Sequence, residues 1–181
     1  MGELAEAVTH CGLALELFRQ AGDRTGQGWA LIGLGSSHAF LGNYELARAS
    51  AWQALELVPA TGEPMILAFA WSELGLVHSQ VGEHRQAISC YRQALSFARE
   101  RKTTIARRWL AEMLVGYGDA LQSAGDLSAA LGAWQEALQI FDDLGLPDPL
   151  GVRARLKPAS APLSWPDPVL PQPRGAAAPD R

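Results

Sequence analysis

Residues 71–95 read WSELGLVHSQVGEHRQAISCYRQAL, and the spacing of small residues within them recurs along the chain. Leu74-Gly75 precedes Gly82, Ala87 lies five residues beyond that glycine, and Ala94-Leu95 lies twelve and thirteen beyond. Forty residues upstream the same columns hold Leu34-Gly35, Gly42, Ala47 and Ala54-Leu55. Forty-three residues downstream they hold Tyr117-Gly118, Gly125, Ala130 and Ala137-Leu138. A partial copy at the start holds Gly2, Ala7 and Ala14-Leu15. The physical reading is a pair of antiparallel helices per period. The turn glycine tolerates the left-handed backbone that ends the first helix. Glycine inside a helix costs about 1 kcal/mol relative to alanine, so its use at 35, 75 and 118 points to backbones that approach closely.

This pattern resembles the tetratricopeptide repeat, W-x-x-L-G-x-x-Y followed by a turn glycine, A-x-x-x-F-x-x-A and a proline. The middle unit supplies Trp71, Leu74, Gly75, His78, Gly82, Ala87, Tyr91 and Ala94. The unit before it supplies Leu31, Leu34, Gly35, His38, Gly42, Ala47, Ala51, Ala54 and Pro59, and the last supplies Leu114, Tyr117, Gly118, Leu121, Gly125, Ala130, Trp134 and Ala137. The tyrosine column is therefore His, His, Leu, and the aromatic column holds Ala51 in one unit. The resemblance implies an all-α, right-handed superhelical solenoid of antiparallel helix pairs. The period here is about 40 residues rather than 34. Helices are expected at 3–20, 25–41, 44–58, 64–81, 84–101, 104–124 and 127–144, with Asp23 a cap for the second and Pro64 in the first turn of the fourth.

The resulting division is a half repeat at 1–24, units at 25–62, 63–103 and 104–146, a short capping helix at 147–157 and a disordered Pro-rich tail at 158–181. Nine of the 11 prolines follow residue 146. The first 146 residues hold 10 Lys and Arg against 16 Asp and Glu, and the remainder holds five against three. The first helix would carry Leu4, Ala7, Val8, Cys11, Leu15 and Phe18 against a missing partner. It is either an imperfect cap or, the reading preferred here, a sign that the chain continues a longer protein. In the last segment Asp148-Pro149 opens a short helix through Leu156, with Val152 and Leu156 covering the final unit. The tail, with Trp165 and a Pro168-x-x-Pro171 step, reads as solvated, although such steps also serve as polyproline ligands.

A narrower resemblance lies in Gly118-Asp119-Ala120, Ala124-Gly125-Asp126, Ala129-Ala130, Trp134-Gln135-Glu136-Ala137-Leu138, Pro147-Asp148 and Val152-Arg153-Ala154-Arg155-Leu156. Together with Phe18-Arg19-Gln20-Ala21-Gly22-Asp23-Arg24, these are similar to the C-terminal repeats of actinobacterial antibiotic-regulatory-type regulators. There such repeats follow a DNA-binding winged helix, an activation domain and an NB-ARC nucleotide switch. The resemblance implies a sensor or docking role, with the switch domain itself a possible partner.

Other chemistries find little support. A net charge of -4 argues against direct nucleic-acid binding. Two cysteines and an acidic start argue against a disulfide-stapled secreted fold and for a cytoplasmic one. Residues 25–44 lack charge, but Gln27, Ser36, Ser37, His38, Asn43 and five glycines interrupt them, and Glu73 interrupts 65–81, so no membrane span is expected. Gly26-x-Gly28 and Gly33-x-Gly35 follow no strand, and no phosphate loop is present, so no nucleotide or other cofactor is expected. His38 and His78 share a column with no acid or cysteine to complete a metal site, and they read as packing residues. Cys11 falls in the aromatic column and should be buried, and no Cys–His pair or paired acids suit catalysis. The chain is expected not to be an enzyme. Arg92, Arg99, Arg101, Lys102, Arg107 and Arg108 form a basic concentration. It suits either a helix C-terminus or a patch for an acidic partner.

In this repeat class the first helices line the concave face. Its exposed positions are expected at Trp29, Ile32, Ser36 and Phe40, then Phe69, Ser72, Leu76 and Ser79, then Glu112, Val115, Asp119 and Gln122. The floor would be apolar at one end and acidic at the other. It is a binding surface for a protein or peptide partner, or for a small molecule or signalling peptide at the Trp29/Phe69 end, unless these side chains bury one another.

Overall fold

The computed structural model describes residues 2–58, 62–148 and 150–157. Among them are eight helices and no strand: α1 (Gly2–Ala21), α2 (Arg24–Phe40), α3 (Tyr44–Leu57), α4 (Pro64–Gln80), α5 (His84–Ala98), α6 (Thr104–Ser123), α7 (Leu127–Asp143) and α8 (Val152–Leu156). Pro149 and the whole of 158–181, including Trp165 and the Pro168-x-x-Pro171 step, lie outside the described residues.

Local chemistry sets the helix ends. Gly82 sits at φ 80°, its N–H donating to the Ser79 carbonyl at 3.2 Å while Glu83 N–H donates to the His78 carbonyl at 2.8 Å. This double bond pattern closes the last turn of α4 and needs a left-handed residue at that point. Gly42 and Gly125 repeat it. Gly2 does not, because it starts a helix rather than ending one and is taken into α1. The side chains of Asp23, Thr103 and Asp126 accept from the N–H groups of Gly26, Ala106 and Ala129 at 2.9, 3.2 and 3.0 Å, satisfying donors that each helix start leaves open. Helix α5 stops three residues short of the expected 101. Arg99, Glu100, Arg101 and Lys102 offer nothing to bury, and Thr103 begins the next cap.

Short turns force α2/α3, α4/α5 and α6/α7 into antiparallel pairs. The pairs stack through α3 on α4 and α5 on α6, while α2, α4 and α6 touch one another in series. The alanine columns make this possible: Ala47, Ala87 and Ala130, and again Ala54, Ala94 and Ala137, are fully buried. A Cβ on Gly75 would lie 2.9 Å from the Tyr91 ring, and one on Gly118 would overlap the Trp134 indole. Trp134, Phe141, Leu74 and Leu114 are nearly or fully buried at the centre of these contacts.

Helix α1 packs on α2. Phe18 lies over Gly26 and Cys11 over Gly33. Only Leu15 of α1 is buried, and the rest of that face is half-covered, Cys11 included. At the other end the short helix starts at Val152 rather than at Asp148. Asp148 instead caps it, accepting from the N–H groups of Val152 and Arg153 at 2.6 and 3.1 Å. Val152 is fully buried and Leu156 packs beside it, where α8 meets α7.

Candidate binding site

A cavity of about 410 Å³ opens across α2, α4 and α6 and is closed at one side by Leu150 and Arg155. The structure brings eight of the expected surface residues to its wall: Ser36, Phe40, Phe69, Ser72, Leu76, Glu112, Val115 and Asp119. Phe40 is 75% exposed. Val115 borders the cavity but is itself buried. Ile32 is a correction. It is buried in the core between α2 and its neighbours and presents no surface, because the close approach of α2 to α4 covers that side of the helix.

Trp29 is half-buried and does not reach the cavity wall. Its ring meets Phe69 edge-on at 5.8 Å between centroids and Trp109 at 6.2 Å, and Phe69 meets Trp109 at 5.0 Å. These aromatic residues from three successive first helices bury one another, as edge-to-face geometry favours. Trp109, which the repeat columns do not single out, completes that cluster and lines the cavity.

Two departures from the repeat explain each other. In the second and third units the aromatic column lays Tyr91 over Gly75 and Trp134 over Gly118. In the first unit that column holds Ala51, and the group lying over Gly35 is the carboxyl of Glu73, reaching from α4. The positions matching Glu73 in the other units are Gly33 and Gly116, and a Cβ on Gly116 would lie 2.7 Å from the Tyr91 hydroxyl. A large residue on one helix is thus exchanged for a large residue on the next.

Glu73 is 6% exposed and lines the cavity. Ser36 Oγ–H donates to its Oε1, and Oε2 has no partner. Burial pushes this carboxyl up to about 8, with the Ser36 hydroxyl pulling the other way. The Tyr91 hydroxyl on the same wall is also raised, first by burial and then by the nearby Asp119 charge.

The acidic end of the expected floor is largely neutralised. Asp119 accepts from Arg155 Nε and Nη2 at 2.7 and 2.9 Å and from Trp134 Nε1 at 3.1 Å. Glu112 pairs with Arg108 at 3.0 Å. Nothing about Arg155 in the repeat pattern marks it as Asp119's partner, because it belongs to the segment after the last unit.

Four of the six residues of the basic concentration pair with acids, Arg108 with Glu112 among them. Arg99 pairs with Glu136, Arg101 with Glu63 and Arg107 with Asp143, at 2.9, 3.0 and 2.7 Å. Arg99 is the C-cap residue of α5, and the last turn before it holds no basic residue. His78 Nδ1 lies 2.5 Å from Glu83, whereas the buried Nδ1 of His38 has no partner, the matching residue there being Asn43. Cys90 is buried, which pushes its thiol up and disfavours the nucleophilic thiolate. Among the described residues no cluster of three His, Cys, Asp or Glu could hold a metal ion, and no helix is long and apolar enough to cross a membrane.

Stacked antiparallel helix pairs, locked by glycine–aromatic columns and open along their first helices, define a helical-repeat scaffold. The Tetratricopeptide repeat family profile matches residues 1–60 and 66–143, and the chain belongs to that family. Such repeats generally mediate protein–protein interaction. No curated protein matches the sequence. The fold is similar to that of BtubC (BKLC) from P. vanneervenii, with a TM-score of 0.62 and 17% identity over 78% of this chain. The match spans 58% of the BtubC chain. It is also similar to the N-terminal domain of stress-induced protein-1 (STI-1) from C. elegans, with a TM-score of 0.54 and 21% identity, covering 74% of this chain and 98% of that one.

Proposed function

We propose that this chain is a docking module whose cavity across α2, α4 and α6 receives an extended segment of a protein partner. The observation that carries the reading is Phe40, 75% exposed at the rim of an apolar-walled cavity. A large apolar side chain held in water beside such a wall is what a recognition surface needs. The units that build it are the half repeat 1–24, the pairs 25–62, 63–103 and 104–146, and the cap 147–157. The binding positions are the eight wall residues above, with Trp29 supporting Phe69 from behind. Its action is non-enzymatic and inside the cell, where the free thiols of Cys11 and Cys90 suit a reducing compartment.

The residues of the last unit and cap that resemble antibiotic-regulatory-type regulators support a role in transcriptional control, with an NB-ARC switch as one partner. In-frame coding sequence for such a switch upstream of Met1 is the observation that tests this part. For docking, the test is binding of degenerate capped heptapeptide pools to the full chain. A Phe40→Asp variant should lose at least tenfold in affinity with no change in melting temperature, since the side chain is already in water. Equal binding by the variant refutes the site. A second reading, a small-molecule sensor, draws on the cavity volume of about 410 Å³, which suits a drug-sized ligand. Saturable uptake of such a molecule, with no peptide pool bound, would favour it.

A further inference from the structure

Where α4 meets α2, the gap over Gly35 needs bulk, and an apolar side chain would supply it without giving up hydration. The chain puts a carboxyl there instead. One of its oxygens is held by Ser36 and the other is unpaired. A buried polar atom left without a partner is costly, so a group that fills the cavity and donates to the carboxylate is favoured. The carboxyl lines the cavity, with its unpaired oxygen packed over Gly35.

The surrounding charges say which kind of donor fits. Of the acids on the wall, Glu112 and Asp119 on α6 already have Arg108 and Arg155. Helix α5 presents the Tyr91 hydroxyl, α2 presents Ser36, and α3 places the uncharged Ala51 in the aromatic column. Glu73 is therefore the acid of the wall with no cation of its own among the described residues. Phe69 and Trp109 border the same space.

We propose, building on the docking reading above, that Glu73 anchors a lysine or arginine side chain carried by a partner segment whose flanking residues are apolar. The ammonium or guanidinium donates to the carboxylate, and the flanking side chains lie against Phe40, Phe69 and Leu76. Because burial holds the Glu73 proton up to about 8, a cation that pairs with the carboxylate displaces that proton to solvent. Affinity then rises up to tenfold per pH unit below about 8 and levels off above it.

The experiment uses the immobilised full chain and pools of capped heptapeptides. The central residue is fixed in each pool and the others are drawn from Leu, Val, Ala, Ser and Gly. At pH 8.5 the Lys and Arg pools should bind at least tenfold more tightly than the Gln, Glu and norleucine pools. The advantage should shrink at pH 6 and vanish in Glu73→Gln, with helicity unchanged by circular dichroism. Ser36→Ala, a smaller perturbation, should weaken the basic preference without abolishing binding of neutral pools. Basic and neutral pools bound equally, or a basic preference that survives Glu73→Gln, overturns the anchor while leaving the docking reading in place. No binding by any pool removes the docking reading itself. A signal that follows self-association of the chain in light scattering assigns the cavity to a second copy and also overturns the proposal.

Discussion

Replacing Glu73 with glutamine should make stability nearly indifferent to pH between 5 and 8.5, whereas the natural chain weakens across that range. In the folded chain burial pushes the carboxyl from an ordinary 4.5 up to about 8. Below 4.5 the group is protonated in both the folded and the unfolded chain and contributes no pH dependence. Between 4.5 and 8 the unfolded chain has released the proton and the folded chain still holds it. The unfolded state then binds fewer protons, so stability falls as pH rises. Above 8 both are ionised and the loss is complete. At 1.36 kcal/mol per pH unit the ceiling on that loss is about 5 kcal/mol. Opening of one unit without the rest, which solenoids permit, relieves the carboxyl early and brings the loss below that ceiling. Glu45, lowered by Arg48, and Asp143, lowered by Gln139 and Arg107, work in the opposite sense: their stabilisation is lost as pH falls below the ordinary carboxylate range, outside this window. Urea unfolding followed by circular dichroism at pH 5, 6.5 and 8.5 makes the measurement. The two chains should agree near pH 5 and diverge by pH 8.5, with the variant the more stable. Parallel curves would show that the Glu73 carboxyl is not buried in the folded chain.

Two further substitutions test the column packing. Gly118→Ala puts a methyl into the Trp134 indole, and overpacking of this kind costs about 1–3 kcal/mol in urea unfolding; a neutral result would mean the two helices have room to part. Ala51→Tyr alone should destabilise by a similar amount, because Glu73 already occupies the space over Gly35. Combined with Glu73→Gly it recreates the Tyr91–Gly75–Gly116 arrangement, and the double-mutant cycle should return a favourable coupling above about 1 kcal/mol. Additive effects would refute the exchange.

Much of the architecture can be read from the columns, because each rests on a local demand that few residues meet: a left-handed turn at Gly82, or a helix crossing at Gly75 with no side chain in the way. Helix ends follow where a cap exists, as at Asp23 and Thr103, and drift where a charged run leaves the boundary to tertiary contacts, as after Ala98. The cavity wall is legible where one face of a first helix is enough to define it, as at Phe40, Phe69 and Leu76. Ile32 is not, since its burial depends on how closely α2 and α4 approach. Glu73 escapes a column reading because Ala51 and Glu73 each look like a tolerated exception. Their meaning lies in the pair, which is separated by 22 residues and joined only by packing. The ion pairs of Arg99, Arg101 and Arg107 are hidden for a related reason, since each spans 36 to 38 residues and joins neighbouring units.

Helix α8 does two jobs with five residues. Val152 seals the apolar end of the stack, while Arg155 and the preceding Leu150 supply part of the cavity wall. The rest of that wall comes from helices whose spacing is dictated by the glycine and alanine columns, where almost any change disturbs a crossing. The cap sits outside those crossings, held by Val152, Leu156, the Asp148 bonds and the ion pairs of Arg153 and Arg155. A change at Leu150 or at Arg155 therefore reshapes the cavity wall while leaving every glycine and alanine crossing of the pairs in place.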